Sequence, residues 1–235
     1  MASPSEGVPP GPAPSERLPL GRMVPPVPAG TEIPPEPPDV GARALSVAAR
    51  LLAGATTFFF LSFVFAYFYL RSLNQQHGWR PAHINPNQGL GAAFVACLVL
   101  SVIATIVAGR QLKAEQPRWF AAAVAGVLLG LAAVALQSIE YTRQHFGPTD
   151  GAYASVFVAW TALYLIAVLF TMYWLETKVA SALRARSRIG RGEPPPSGDI
   201  EDPARQISPA FDAAVFYWSF LGGVGVLMYV VLYLL

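Results

Sequence analysis

Residues 136–175 read LQSIEYTRQHFGPTDGAYASVFVAWTALYLIAVLFTMYWL, and this stretch indicates the fold class more clearly than any other. An apolar segment ends near Tyr141, a short polar loop follows, and a second apolar segment runs from Ala152 to Leu175 without a charged residue. At about 1.5 Å of rise per residue, a helix of about 20 residues crosses a hydrocarbon core about 30 Å thick. The stretch therefore predicts two transmembrane helices joined by a polar loop.

The rest of the chain repeats this pattern. The 235 residues are 54% hydrophobic and only 13% charged, with a mean hydropathy of +0.43, whereas soluble domains carry about 25% charged residues. Five blocks of about 20 residues contain no Asp, Glu, Lys or Arg, which is the pattern of membrane spans. We therefore predict an all-α integral membrane protein built as a bundle of five transmembrane helices. The predicted spans are about residues 47–70, 90–109, 119–139, 152–175 and 213–235.

The segment before the first span differs in composition. Residues 1–41 are dominated by proline, glycine and small residues. Such a segment buries too little apolar surface to offset its ordering entropy, so we predict a disordered cytoplasmic tail followed by a membrane domain over residues 42–235. The first apolar block starts too far along the chain, and is too long, for a cleavable signal peptide. A net charge of +2 gives no indication of nucleic-acid binding, and Cys97, the single cysteine, excludes an intramolecular disulfide.

Lysine and arginine predict the orientation. Thirteen of the 16 lie before the first apolar block (residues 51–70), in the turn between the second and third spans, or in the loop between the fourth and fifth. The opposite side holds only Arg71, Arg80 and Arg143. Because cytoplasmic loops carry an excess of positive charge, we expect the N-terminus in the cytoplasm and the C-terminus outside.

The spans offer little chemistry at depth. All three histidines, His77, His83 and His145, lie in predicted outer loops, so no span supplies a histidine to a buried haem or copper site. The histidines could form a surface metal site, although solvated side chains are the simpler interpretation. No span has a charged residue at its centre, as ion pathways and coupled transporters usually do. Glu140 lies at the outer end of the third span, where we expect an interfacial carboxylate paired with Arg143.

Several motifs resemble those of subunit III of haem-copper terminal oxidases, in its short five-helix bacterial form. Residues 137–141, QSIEY, resemble the family's Q-x-x-E-Y at the end of the corresponding helix, and residues 151–157, GAYASVF, resemble its Y-G-S-x-F-F. The resemblance covers roughly residues 45–235. Further positions in the first and last spans match the family's FFAxLFAxYFxxR and YWHF…Y patterns: Tyr67, Phe68, Arg71, Tyr217, Trp218, Tyr229 and Tyr233.

The resemblance implies a non-catalytic component of a cytochrome c oxidase in aerobic electron transport, located in a bacterial cytoplasmic membrane. Such a subunit holds no cofactor or metal of its own; haem and copper belong to the partner subunits I and II, and phospholipid binds between its helices. The resemblance also implies that such a subunit supports the assembly and stability of the catalytic subunit. The chain is expected to have no catalytic centre of its own, and it would count as part of an enzyme only as a subunit of the cytochrome c oxidase complex.

The site residues that we predict are structural. Gln137, Glu140 and Tyr141 are expected to anchor the outer ends of the third and fourth helices against each other or a partner. Small residues allow close helix contacts, as in the GxxxG spacing of Gly126 and Gly130. Further interface candidates are Ser155, Tyr67, Arg71 and Trp218, and further packing candidates are Gly222, Gly223 and Gly225.

The sequence also departs from the family pattern. Thr56 occupies the position of a buried glutamate, Ser219 replaces the histidine of YWHF, and residues 163–167 lack both histidines of H-G-x-H-V. These departures indicate a divergent member. They leave open an accessory subunit of a nitric oxide reductase or another haem-copper enzyme. A small-molecule or lipid transporter and an integral membrane enzyme are the alternatives outside the family, and the lack of an inverted repeat argues against transport.

Overall fold

A computed structural model describes residues 38–74, 78–81, 84–191 and 203–235. This part of the chain is all-helical, and five helices are long and apolar enough to cross a membrane, which confirms the predicted fold class. Residues 1–37 of the predicted tail, His77 and His83 lie outside the described residues. The helices are α1 (Pro38–Leu73), α2 (Gln88–Lys113), α3 (Trp119–Arg143), α4 (Ala152–Gly190) and α5 (Pro203–Tyr229), followed by a π-helical turn (Val230–Leu234).

Local chemistry explains where the helices begin. The side chain of Asn87 caps α2 by accepting a hydrogen bond of 3.1 Å from the backbone N–H of Leu90. α4 follows Gly151, whose φ of +148° is open to glycine and costly for other residues. In the loop before it, the Asp150 carboxylate accepts a hydrogen bond of 2.6 Å from the Gly147 N–H. α5 begins at Pro203, since proline fits the first turn of a helix.

Consecutive helices alternate in direction, so the bundle has two ends. The C-terminal end of the bundle contains the end of α1, the start of α2, the end of α3, the start of α4 and the last residues of the chain. Gln88 and Tyr153 both contact the C-terminal segment there. At the opposite end, Lys113 of α2 forms an ion pair of 2.8 Å with Asp212 of α5. Both side chains are well exposed, so the pair contributes little to stability.

Glycines allow three helices to approach closely around α2. A Cβ at Gly126 of α3 would collide with the Thr105 side chain and lie 3.3 Å from the Ser101 carbonyl oxygen. A Cβ at Gly130 would collide with Met172 of α4. Gly126 therefore favours glycine because the backbone of α2 fills the space, whereas at Gly130 the flexible end of Met172 would have to move.

The glycines of α5 behave differently from one another. A Cβ at Gly222 would collide with Val102, and one at Gly225 would collide with Leu98 and Tyr164. At Gly223, however, no heavy atom lies within 4 Å of the Cβ position, and the residue is exposed. The expected packing role of Gly223 is therefore corrected, because its face of α5 turns away from the neighbouring helices.

α1 packs least against the rest of the bundle. Only 17% of its most apolar window is buried, compared with 50% for the last span. Phe58 and Phe65 are 79% and 71% exposed. A bilayer solvates such apolar side chains as well as a protein interior does, so this face of α1 suits lipid or a second membrane subunit.

Candidate functional site

At the C-terminal end of the bundle, the polar contacts are arranged around one buried carboxylate. Glu140, near the end of α3, is 1% exposed. The Tyr233 hydroxyl donates a hydrogen bond of 2.6 Å to Glu140 Oε2, and Gln137 Nε2 donates one of 3.2 Å to the same oxygen. A buried carboxylate is costly without such donors, so these bonds hold the C-terminal segment against α3. We call Gln137, Glu140 and Tyr233 the outer network.

Two further hydrogen bonds hold the C-terminal segment in place. The Tyr153 hydroxyl, at the start of α4, donates to the Leu232 carbonyl oxygen. Gln88 Nε2, at the start of α2, donates to the Tyr233 carbonyl oxygen at 3.3 Å. The Tyr233 ring also fills the space above Gly91, where any Cβ would collide with it. The last turn of the chain therefore connects α2, α3 and α4.

Tyr141 makes the direct connection between α3 and α4. Its hydroxyl donates a hydrogen bond of 2.6 Å to Thr161 Oγ1. The Thr161 hydroxyl in turn donates to the Phe157 carbonyl oxygen, one turn earlier in α4, at 2.7 Å. Glu140 and Tyr141 thus make contacts in two directions from adjacent positions: towards the C-terminal segment and towards α4.

An aromatic cluster lies on the α1 side of the same end. Tyr67 and Tyr153 both pack edge-to-face against Trp79, with ring centroids 5.0 and 5.7 Å away. Arg71 lies over the Tyr67 ring, with its guanidinium carbon 5.9 Å from the centroid, and Arg80 lies over the Tyr153 ring at 5.0 Å. These distances fit cation–π contacts. The two arginines are therefore held against aromatic rings of the chain itself.

Trp218 belongs to a separate contact in the middle of the bundle. Its indole N–H donates a hydrogen bond of 3.1 Å to Ser101 Oγ, and Ser101 donates one of 2.6 Å to the Gly126 carbonyl oxygen. All three groups are buried. Ser101 therefore joins α5, α2 and α3 through one hydroxyl group.

Two predicted site residues have partners other than those expected. Glu140 does not pair with Arg143, because Glu140 shares the buried face of α3 with Gln137 and Ala133, whereas Arg143 ends the helix and is exposed. The expected ion pair is therefore corrected to hydrogen bonds with Tyr233 and Gln137. Among the described residues, the Ser155 hydroxyl donates to the loop before α4, at the carbonyl oxygens of Pro148 and Gly151.

The sequence matched Tyr233 to the family pattern but did not connect it with Glu140. Tyr233 and Glu140 are 93 positions apart, so no helical periodicity relates them. The available signal was a tyrosine among the otherwise apolar last residues of the chain, since a buried tyrosine hydroxyl needs a polar partner. The sequence also gave no sign that Thr56, at the family's glutamate position, shares a hydrogen bond of 3.0 Å with the Tyr217 hydroxyl.

A pocket of about 860 Å³ lies beside the outer network, between the loop before α2 and the end of α3. We call it the outer pocket. Glu140 and Gln144 line it, and Arg143 is an exposed residue of the same lining. Within the described residues, Gln144 Nε2 is buried in this lining without a hydrogen-bond partner, as is Gln137 Oε1, which does not line the pocket. The Glu140 carboxyl also accepts a hydrogen bond from the backbone N–H of Asn87.

Among the described residues, no three His, Cys, Asp or Glu side chains come close enough to form a metal site. His145 lines the outer pocket and is the one histidine among the described residues. The polar side chains that the described fold does bring together at this end, such as Glu140, Tyr233, Tyr141 and Thr161, form hydrogen bonds between helices.

Comparison with known proteins identifies the family of the chain. Residues 41–186 match the family model described as cytochrome c oxidase subunit III. That range covers more than half of the chain and includes α2, α3 and nearly all of α1 and α4. No curated protein matches the sequence. The chain therefore belongs to the cytochrome c oxidase subunit III family and is a multi-pass, subunit III-like component of a haem-copper oxidase.

Proposed function

We propose that this chain is the non-catalytic third subunit of a respiratory cytochrome c oxidase, and that it supports the assembly and lifetime of the catalytic subunit. The observation that carries the proposal is where the polar side chains of the QSIEY motif (residues 137–141) make their hydrogen bonds. Gln137, Glu140 and Tyr141 all direct their polar groups to partners within the chain, across α3, α4 and the C-terminal segment. The motif therefore stabilises a bundle.

A stable bundle suits a subunit whose role is to pack against others. Together with the hydrogen bonds of Gln88 and Tyr153, the outer network connects α2, α3, α4 and the C-terminal segment at one end of the bundle. α1, by contrast, leaves large aromatic side chains exposed along its length. We propose that this α1 face contacts subunit I, subunit II or the lipid between them. In this proposal haem and copper are held by those partners, in a bacterial cytoplasmic membrane with the N-terminus of this chain in the cytoplasm.

Deletion of the gene tests the proposed role. Without this chain, we expect less assembled oxidase and a catalytic subunit that loses activity after fewer turnovers. Complementation with the wild type should restore both, and Glu140→Gln should restore them only partly. Glu176→Gln provides the matched control, since Glu176 is exposed on α4. Unchanged assembly, turnover and lifetime in the deletion strain would contradict the proposal.

The alternative partner within the same superfamily is a nitric oxide reductase or another haem-copper enzyme. Its motivating observation is Thr56, which replaces the family's glutamate and bonds to Tyr217 instead. Purification of the tagged chain from native membranes in mild detergent distinguishes a cytochrome c oxidase partner from a nitric oxide reductase partner. Co-purified cytochrome c oxidase activity, with the haem spectrum and mass of a multi-span partner, supports our proposal. Co-purified nitric oxide reduction would replace it.

A further inference from the structure

We propose that a groove at the end of the bundle opposite the C-terminus binds an acidic, amphipathic polypeptide segment of a partner subunit. The groove has a volume of about 800 Å³ and lies between the start of α1, the end of α2 and the start of α5. We call it the basic groove. The proposal rests on the oxidase-subunit role proposed above, and it names the kind of segment that would hold this chain in such a complex.

α1 forms the basic wall of the groove. Arg43, Val47 and Arg50 line it at spacings of four and three residues, which places all three on one face of the helix. All three residues are exposed, and the apolar Val47 lies between the two cations. This face therefore offers positive charge on both sides of an apolar contact.

α5 forms the opposite wall, which is mainly apolar. Pro209 and Phe216 line it, and Phe216 is 46% exposed. Asp212 lies between them in the sequence and forms the 2.8 Å ion pair with Lys113 of α2. Because that pair is neutral overall, the remaining charge of the lining is positive and belongs to α1.

Arg50 is the cation best suited to receive a ligand. It is an exposed residue of the lining, and among the described residues it forms no ion pair. Arginine binds a carboxylate through two parallel N–H donors, and such a bond is stronger where apolar neighbours keep water away. We therefore expect a carboxylate of the segment at Arg50 and an aliphatic or aromatic side chain over Val47 and Phe216.

The mixed lining favours a polypeptide over a small anion. A free phosphate would pair with Arg50 but would leave Val47 and Phe216 uncovered. It would also share the groove with the Asp212 carboxylate, at a Coulombic cost. A polypeptide segment supplies carboxylates for the arginine wall, apolar side chains for the α5 wall and backbone N–H donors for Asp212.

The position of the groove favours a segment outside the hydrocarbon core. Its charged residues precede the charge-free blocks of α1 and α5, which start at Leu51 and Ala213, and follow that of α2, which ends at Gly109. Charged side chains at such positions lie at the membrane surface. A loop or terminal segment of a partner subunit can therefore reach the groove from the aqueous phase.

Photo-crosslinking from within the groove provides the first test. Full-length tagged chain with the substitution Val47→p-benzoylphenylalanine would be expressed in its native host, irradiated in the membrane and purified. We expect a crosslinked peptide from another subunit of the oxidase, in which Asp or Glu residues flank an aliphatic or aromatic residue. Tyr173→p-benzoylphenylalanine is the control, since Tyr173 is 68% exposed on α4 outside the groove; it should not crosslink to that peptide.

Charge substitutions test the role of Arg50 in the assembled complex. In detergent at moderate salt, we expect Arg50→Gln to raise the dissociation rate of the partner subunit about tenfold, the factor for one lost charge-assisted hydrogen bond. The difference from the wild type should shrink at high salt. Arg50→Lys keeps the charge but loses the paired donors, so its rate should lie between the two.

Two controls separate this contact from a general loss of charge or fold. Arg118→Gln removes an exposed cation at the same end of the bundle, outside the groove, and should dissociate as the wild type does. The thermal midpoint of the isolated chain should be the same in Arg50→Gln and the wild type, because Arg50 is exposed.

The outcomes distinguish the groove from the oxidase role. Crosslinks from position 47 to lipid alone, or to a peptide without carboxylates, would overturn the proposal, as would equal dissociation rates of Arg50→Gln and the wild type. A crosslink to an acidic segment of a protein outside any oxidase would support the groove assignment and contradict the oxidase role. An oxidase that co-purifies without a crosslink from position 47 would support the oxidase role and overturn the groove assignment.

Discussion

Glu140 is the residue whose surroundings are most informative about this chain. It is a carboxylate at 1% exposure, with hydrogen bonds from Tyr233, Gln137 and the Asn87 backbone and no ion pair among the described residues. Buried charged groups depend strongly on their donors, since removing one leaves the desolvation cost uncompensated. The stability of this end of the bundle should therefore respond to a single hydroxyl group.

Tyr233→Phe tests that dependence. The substitution removes the 2.6 Å hydrogen bond to Glu140 and keeps the ring that packs over Gly91. We expect the free energy of unfolding in detergent to fall by about 1–2 kcal/mol, measured as a lower thermal midpoint. Tyr229→Phe is the matched control, because ring stacking on Tyr233 is the contact found for Tyr229 in the described structure.

A double-mutant cycle extends this test. If the hydroxyl acts through Glu140, Tyr233→Phe should cost clearly less in a Glu140→Gln background than in the wild type. Additive losses would mean that the two side chains stabilise the chain independently, which would contradict the outer network as described.

The sequence predicted the members of this site better than their contacts. Gln137, Glu140 and Tyr141 could be selected because they match the family's Q-x-x-E-Y motif at the end of an apolar span. Their partners could not be deduced, since Tyr233 and Thr161 reach them only through the arrangement of the helices in space. The incorrect pairing of Glu140 with Arg143 arose from local spacing, which takes no account of which helix face is buried.

At the scale of helices, close packing around α2 depends on glycines that can be tested individually. Gly126→Ala would place a methyl group against Thr105 and 3.3 Å from a backbone oxygen of α2 that cannot rotate away. We expect a loss of about 1–3 kcal/mol, as for other overpacked contacts, seen as a lower thermal midpoint in detergent.

Gly223→Ala is the matched control for that loss. A Cβ at Gly223 meets no atom within 4 Å. Since alanine favours a helix over glycine, the thermal midpoint should stay the same or rise, with a gain of at most about 1 kcal/mol. A loss at Gly223 as large as that at Gly126 would show that helix flexibility, rather than close contact, explains the glycines.

Within the described residues, each of the five helices that could cross a membrane overlaps a predicted apolar block, but the helix ends differ. Apolar blocks report the part of a helix that lies in lipid, whereas the backbone continues as a helix wherever the next residues permit it. α4 continues beyond its span to Gly190 through a sequence rich in alanine and arginine, which are good helix formers. α1 likewise begins at Pro38, within the predicted tail, and proline is well tolerated in a first turn.

For the whole molecule, the C-terminal segment should act as a clamp on the bundle. Removal of residues 230–235 deletes the Tyr233 hydroxyl and the carbonyl oxygens that bind Tyr153 and Gln88. We expect this truncation to give aggregation or a markedly lower thermal midpoint in size-exclusion chromatography after heating. Removal of residues 234–235 alone is the control, since both leucines are exposed and Tyr233 remains. Equal behaviour of the two truncations would contradict the clamp.

The distribution of lysine and arginine predicts the direction in which the whole bundle crosses the membrane. The end of the bundle opposite the C-terminus has cations in the turn after α2 and in α1 and α4, including Arg50, Arg118 and Arg184. The positive-inside rule then leaves the C-terminus, the outer network and the outer pocket on the outer face. Alkaline phosphatase fused after Leu235 should therefore be active in intact cells, whereas a fusion in the turn at Gln116 should be inactive. Because phosphatase needs the oxidising outer compartment to form its disulfides, the reverse pattern would invert the orientation and place Glu140 in the cytoplasmic leaflet.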